Sequence, residues 1–200
     1  MGQIVRSITY TKLNNELPQI KYDPERAKFH LRKAGLDSLT VKLHTADAAY
    51  TGAVDTALLM RESAAKAGIN IEVVREPNDG YWTDVWRKKP WCFCSWEGRI
   101  TADMMLSVAY AENAPWNDAH WKHERFNKLL KEARAELNES KRRELYVEIQ
   151  RIVRDEGGTI VHLFTNNVIA ATSKFKFQEP MAGHLSLDGM RGPEKWWFEG

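Results

Sequence analysis

Between Leu39 and Val74 the apolar residues change period twice, and no other feature limits the fold as strongly. Leu39-Thr40-Val41-Lys42-Leu43-His44-Thr45 alternates apolar and polar side chains, the pattern of a strand with one buried face. Val54, Ala57, Leu58, Ala64 and Ala65 then recur at helical spacing, with Thr51 placed to cap that helix and Ala67-Gly68 to close it. Ile69 to Val74 is strand-like again. Two strands joined through a helix are expected to lie parallel, by a right-handed crossover.

The flanking segments carry similar signals. Asp23-Pro24-Glu25 predicts a helix start, Ala27, Leu31 and Ala34 its buried face, and Gly35 its end. Asn78-Asp79-Gly80 predicts a turn, residues 81–87 a short helix stopped by Lys88-Lys89-Pro90, and Trp91 to Trp96 a third strand. Met104 to Ala111 reads as helix and Asn113 to Trp121 as a loop. Phe126, Leu129, Leu130, Ala133 and Leu137 mark an amphipathic helix. Asn138 can cap the next helix, which has Leu145, Ile149, Ile152 and Val153 on one face and ends at Gly157-Gly158. Ile160 to Phe164 and Val168 to Ala171 read as strands joined by a turn at Asn166-Asn167. Beyond Lys174 the chain is punctuated by Gly and Pro and closes on Trp196-Trp197-Phe198.

Composition excludes several classes. The chain has 200 residues, 43% hydrophobic and 28% charged, with 29 basic against 27 acidic side chains, so it has the balance of an ordinary globular protein. A net charge of +2 with interspersed signs is no nucleic-acid footprint, and Lys141-Arg142-Arg143 reads as a solvated helix face. No apolar run approaches the roughly 20 residues that span a bilayer. Met1 to Arg6 resembles neither a secretion signal nor a myristoylation site, so the chain reads as carrying no address. Cys92 and Cys94, two apart on a strand, are poorly set for a mutual disulfide and read as two buried thiols. Of 8 Trp, six lie between Trp82 and Trp121, a concentration suited to a pocket, an interface or an aromatic core layer.

Chemistry concentrates in Ser95-Trp96-Glu97-Gly98-Arg99-Ile100-Thr101-Ala102-Asp103, between a strand-like run and a helix-like one. Turns at the carboxyl ends of strands hold ligands in α/β proteins. Trp96 offers a flat apolar face, Gly98 lets backbone approach, and Arg99 can grip a carboxylate through two parallel hydrogen bonds. The alternative is a buried Trp and an Arg99–Asp103 helix pair that needs no ligand.

The order of these signals resembles the carboxy-terminal lobe of the family 5 extracellular solute-binding proteins of bacterial ABC importers. Tyr22-Asp23-Pro24-Glu25-Arg26-Ala27-Lys28 with Ala34-Gly35 looks like the family's opening helix, and Ala65-Lys66-Ala67-Gly68-Ile69 like its helix-to-strand junction. Trp96-x-Gly98-Arg99 with Asp103 is similar to its cleft-facing turn, although Ala102 stands where Pro is common. Phe126 with Leu129, Leu130 and Ala133, then Arg142 to Gln150, and Ile160 with Phe164 continue the match. The resemblance implies an α/β fold, a type II periplasmic-binding-protein lobe with a mixed, mostly parallel sheet flanked by helices. It implies a lead-in from a first lobe over residues 1–22, a ligand-binding lobe over 23–175, and an extended tail over 176–200 returning to that first lobe. Family members are much longer, so this sequence reads as the second lobe alone. The implied activity is capture of peptides, opines or oligosaccharide-like solutes in an interlobe cleft, in the periplasm or outside the cell, and delivery to an ABC permease without chemistry. No cofactor or metal is implied. Trp96, Arg99, Asp103, Asn113, Trp116 and Asn117 would bind solute: Arg99 as anion grip, Asp103 orienting Arg99 or capping the next helix, and Trp96 and Trp116 packing on the ligand. A lone lobe would expose apolar area, and self-association is the corresponding expectation.

Two other classes compete. His120-Trp121-Lys122-His123-Glu124 places two imidazoles and a carboxylate together, but at i,i+3 rather than the i,i+4 spacing of zinc hydrolases. His44 with Asp47, and Ser95 before Trp96, are too loosely placed to argue a nucleophile and base. A plain interaction module would use the Trp cluster as its protein-binding face.

Overall fold

A computed structural model of the chain describes residues 17–164, 170–178, 181–182 and 185–200. The chain divides into two compact units, Lys21–Trp96 and a second formed by Glu97–Gly200 with residues 17–20.

The first unit is built on the predicted strand–helix–strand. Helix α1 (Pro24–Lys33) starts where Asp23 accepts a hydrogen bond from the Arg26 N–H, and closes at Gly35, whose φ of +74° is left-handed and costs an L-residue more than glycine. Strand β1 (Leu39–Thr45) pairs in parallel with β2 (Ile69–Arg75), with Val41 opposite Ile71. Helix α2 (Ala53–Ala65) connects them and packs on β2. Leu43, Ala53, Ala57, Ile71, Tyr81, Val85 and Phe93 form the core; small alanines let helix and sheet approach closely. Short helix α3 (Tyr81–Asp84) follows the turn at Gly80.

Four expectations are corrected here. Thr51 does not cap α2: Gly52 holds the N-cap position, and the carboxylate of Asp47 takes the Val54 N–H. Of the expected apolar face of α2, Ala65 is exposed, because the helix turns Ala53 and Ala57 inward. Residues 91–96 do not form a full third strand. They join the sheet through one parallel bridge between His44 and Cys92, with the His44 N–H on the Trp91 carbonyl and the Phe93 N–H on the His44 carbonyl. The two cysteines form no disulfide and are half-buried rather than buried.

The second unit is helical. Helix α4 (Ala102–Ala109) packs on α5 (Glu124–Ala135), and α5 on α6 (Glu139–Glu156). Phe126, Leu130 and Ala133 of α5 and Ile149, Ile152 and Val153 of α6 are buried, as their spacing predicts; Leu137, just past α5, is 90% exposed. Asn138 caps α6 by accepting the Lys141 N–H. The helix ends at Gly157, where a Cβ would come within 2.3 Å of the Val153 carbonyl oxygen.

The carboxy-terminal part departs from expectation. Residues 160–164 and 170–171 are not strands, and Asn166-Asn167, with Val168 and Ile169, lies outside the described residues. The sheet of this unit is instead the antiparallel pair β3 (Phe175–Phe177) and β4 (Trp196–Phe198), stapled by edge contacts of Phe175 on Trp196 at 5.2 Å and on Phe198 at 5.5 Å. Two single turns, Ser186–Met190 and Gly192–Lys195, precede β4. The first is left-handed at Leu187, Asp188 and Gly189. Buried Asp188 holds it, one carboxylate oxygen accepting the Ala182 N–H and the other pairing with Lys195 at 2.6 Å. That N–H, and then the Lys195 ammonium, keep its carboxyl below the usual range.

Candidate functional site

The turn that enters α4 is fixed by its own backbone. Thr101 accepts the Met104 N–H at 3.1 Å and thereby caps the helix. Arg99 is half-buried, and its guanidinium folds back to donate to the carbonyls of Glu97 at 2.8 Å and Gly98 at 3.4 Å. Part of the fork expected to grip a carboxylate thus holds the turn itself.

Asp103 neither orients Arg99 nor caps α4. It lies in the first turn of the helix and accepts from Arg134 Nε of α5 at 2.6 Å. Arg134 also donates to Ser107, whose hydroxyl donates to the Asp103 carbonyl at 2.6 Å. Tyr146 of α6 completes the cluster. Burial, and then the Asp103 charge, push its phenol up to about 12. The Asp103 carboxylate therefore ties α4 to α5 and α6. Sequence reasoning missed Arg134 and Tyr146, because no local pattern marks a partner 31 or more residues away.

The loop after α4 divides the remaining candidates. Asn117 is buried, and its side chain is spent on its own loop: it donates to the carbonyls of Trp121 at 2.7 Å and Ala111 at 3.3 Å, and accepts the Trp121 N–H at 3.1 Å. Asn113 and Trp116 are exposed on the same loop. Trp96 belongs to the first unit, half-buried, at the end of a row of edge-on rings: Tyr81 to Trp82 at 5.8 Å, Trp82 to Trp86 at 5.8 Å, Trp86 to Trp96 at 6.5 Å. The Trp-rich stretch is thus split between an aromatic row in one unit and a loop in the other.

The histidines do not converge. His123 caps α5 by accepting the Phe126 N–H on Nδ1 at 3.1 Å, while its Nε2 meets the Glu156 carboxylate at 3.1 Å, so both ring nitrogens have protein partners. His120 is exposed. His44 pairs with Glu76 at 2.6 Å rather than with Asp47. Among the described residues no three His, Cys, Asp or Glu side chains gather as metal ligands, and no helix is long and apolar enough to cross a membrane. An open hollow of about 600 Å³ beside α5, lined by Glu112, Lys122, His123, Asn127, Lys128 and Lys131 among others, contains none of the solute-binding candidates.

Comparison with solved structures defines the architecture. The chain is similar to the periplasmic binding protein DppA from Helicobacter pylori, solved with the peptide STSA, at a TM-score of 0.59 and 22% identity, over 72% of this chain and 29% of that one. It is similar to HbpA2 from Haemophilus parasuis at a TM-score of 0.64 and 21% identity, over 72% and 30%. NikZ from Campylobacter jejuni, solved with Ni(L-His), matches at a TM-score of 0.62 and 19% identity, over 73% and 33%. The fold is that of a lobe of a type II periplasmic binding protein, and the chain spans about a third of the length of the proteins that share it. No protein-family model matches the sequence, and no curated protein matches it.

Proposed function

We propose that this chain is the second lobe of the solute-binding component of an ABC-type importer, capturing peptides or similar small solutes without making or breaking bonds. The observation that carries this reading is the shared fold with binding proteins over more than two thirds of the chain. DppA is solved with a peptide and NikZ with a nickel–histidine complex, so one fold serves both kinds of cargo. The intact protein would work in the periplasm or outside the cell with a permease. Residues 23–175 would form the lobe, with 1–22 leading in from the first lobe and 176–200 returning to it. Arg99 would meet an anionic group at the mouth of its turn, Asn113 and Trp116 would contact solute from the exposed loop, and Trp96 would offer an apolar face of its own. Asp103 and Asn117 would shape these elements rather than touch the ligand.

Titration of the chain with short peptides and with nickel–histidine, followed by Trp fluorescence, tests the reading. A weak, saturable shift is expected, because one lobe supplies only half of a cleft. In the Arg99→Ala variant the affinity for an anionic peptide should fall by about tenfold or more. Turnover of any solute would overturn the reading. Silence toward every solute, with concentration-dependent assembly, would favour an interaction module built on the Trp residues.

A further inference from the structure

Helix α1 presents a surface that the solute-binding role does not use. Arg26, Phe29 and Lys33 follow one another at i, i+3 and i+7, so they share one side of the helix, and Tyr22 stands just ahead of its N-cap, Asp23. All four are exposed, Tyr22 by 64% and Phe29 by 55%. The opposite side of the helix buries Leu31. The Tyr22 ring is held in place, since its hydroxyl donates to the Ser63 carbonyl at 2.9 Å. The acids of the segment are occupied: Asp23 caps the helix, and Glu25 pairs with Lys28 at 2.7 Å. Among the described residues no carboxylate pairs with Arg26, Arg32 or Lys33. Among the described residues, this helix therefore carries three exposed cations with no ion-pair partner, with the Phe29 ring among them and the Tyr22 ring at its start.

We propose that this face of α1 docks on an anionic lipid surface, Phe29 and Tyr22 entering the headgroup layer and Arg26, Arg32 and Lys33 meeting lipid phosphates. The interleaving decides for lipid over protein. The centre of a protein interface wants contiguous apolar area and is depleted in charge. A headgroup layer accepts rings singly, with cations beside them at phosphate level. Basic side chains at such a surface contribute additively and are screened by salt.

Co-sedimentation of the full chain with vesicles of phosphatidylcholine alone, or mixed equally with phosphatidylglycerol, tests this. At about 0.05 M salt the partition coefficient should be about tenfold or more higher on the mixed vesicles, and most of that preference should vanish by about 0.3 M. Arg26→Glu with Lys33→Glu should lose about tenfold or more on mixed vesicles. Phe29→Ser should lose about fivefold, since its ring is the deepest apolar contact. Lys131→Glu with Lys141→Glu changes net charge equally on the second unit and should stay within about twofold. All these side chains are exposed, so far-UV circular dichroism of the variants should coincide. Equal binding to both vesicle types, an unchanged Phe29→Ser variant, or an equal loss in the Lys131/Lys141 control would each overturn the proposal.

Discussion

Single residues here are often committed twice, and burial decides which commitment matters. The family resemblance places Asn117 among the solute contacts because it follows the cleft-facing turn. Its burial and three hydrogen bonds make it the clasp of the 111–121 loop. Asn117→Ala should therefore cost about 1–2 kcal/mol, because it leaves the part-buried Trp121 N–H without its partner, and thermal unfolding would show it. An undiminished Tm would mean the loop closes without this clasp. Gly157→Ala should cost about 1–3 kcal/mol for a different reason: the added methyl meets the Val153 carbonyl, a backbone atom that cannot step aside. His123 is the reverse case. A residue weighed as a metal ligand is a helix cap, legible only once its Nδ1 is seen to accept the Phe126 N–H.

At the scale of elements, α4, α5 and α6 are joined by two kinds of contact of unequal weight. The buried face is the stronger. Phe126→Ala should destabilise by about 3–5 kcal/mol, with loss of the cooperative unfolding transition in calorimetry as the check. The Asp103–Arg134 pair is short, but Arg134 is 49% exposed, so Asp103→Asn should change stability by less than about 1 kcal/mol. That difference makes Asp103 useful as a control. If its variant nevertheless abolished the fluorescence response to solute while Tm held, Asp103 would have to be returned to the ligand-contact set. The elements read correctly from sequence, α1, β1, α2, β2, α5 and α6, have long periodic faces or strong caps. Strands β3 and β4 have neither: each is three residues long, and the partner lies some twenty residues away. Conversely, residues 160–164 had the composition of a strand but not the pairing.

For the whole chain, two half-buried ionisable groups contribute to the pH dependence of stability, one on each side of neutrality. Burial lowers the His162 imidazole below 6.5, so the folded state favours its neutral form. That contribution is complete above the ordinary histidine value and is lost as pH falls through it. Tyr146 is raised from 10.0 to about 12 and is likewise neutral when folded, so its contribution is complete below about 10 and lost as pH rises toward 12. Tm measured against pH should show a plateau bounded on both sides. His162→Gln should flatten the acid limb and Tyr146→Phe the alkaline limb; a limb unchanged by its variant would assign that slope to other groups.

Sequence alone determined the parallel strand–helix–strand, the amphipathic pair α5 and α6, and the resemblance to binding-protein lobes. These rest on periodicity, caps and glycines, which act within a few residues of one another. Tertiary structure decided which polar groups look outward and which are consumed inside. Asp103 went to Arg134, Asn117 to its own loop and His44 to Glu76, because each pairing depends on distances between segments far apart in the chain. A side chain's hydrogen-bonding capacity is written in its chemistry; whether any of it remains for a ligand depends on the neighbours that folding brings to it.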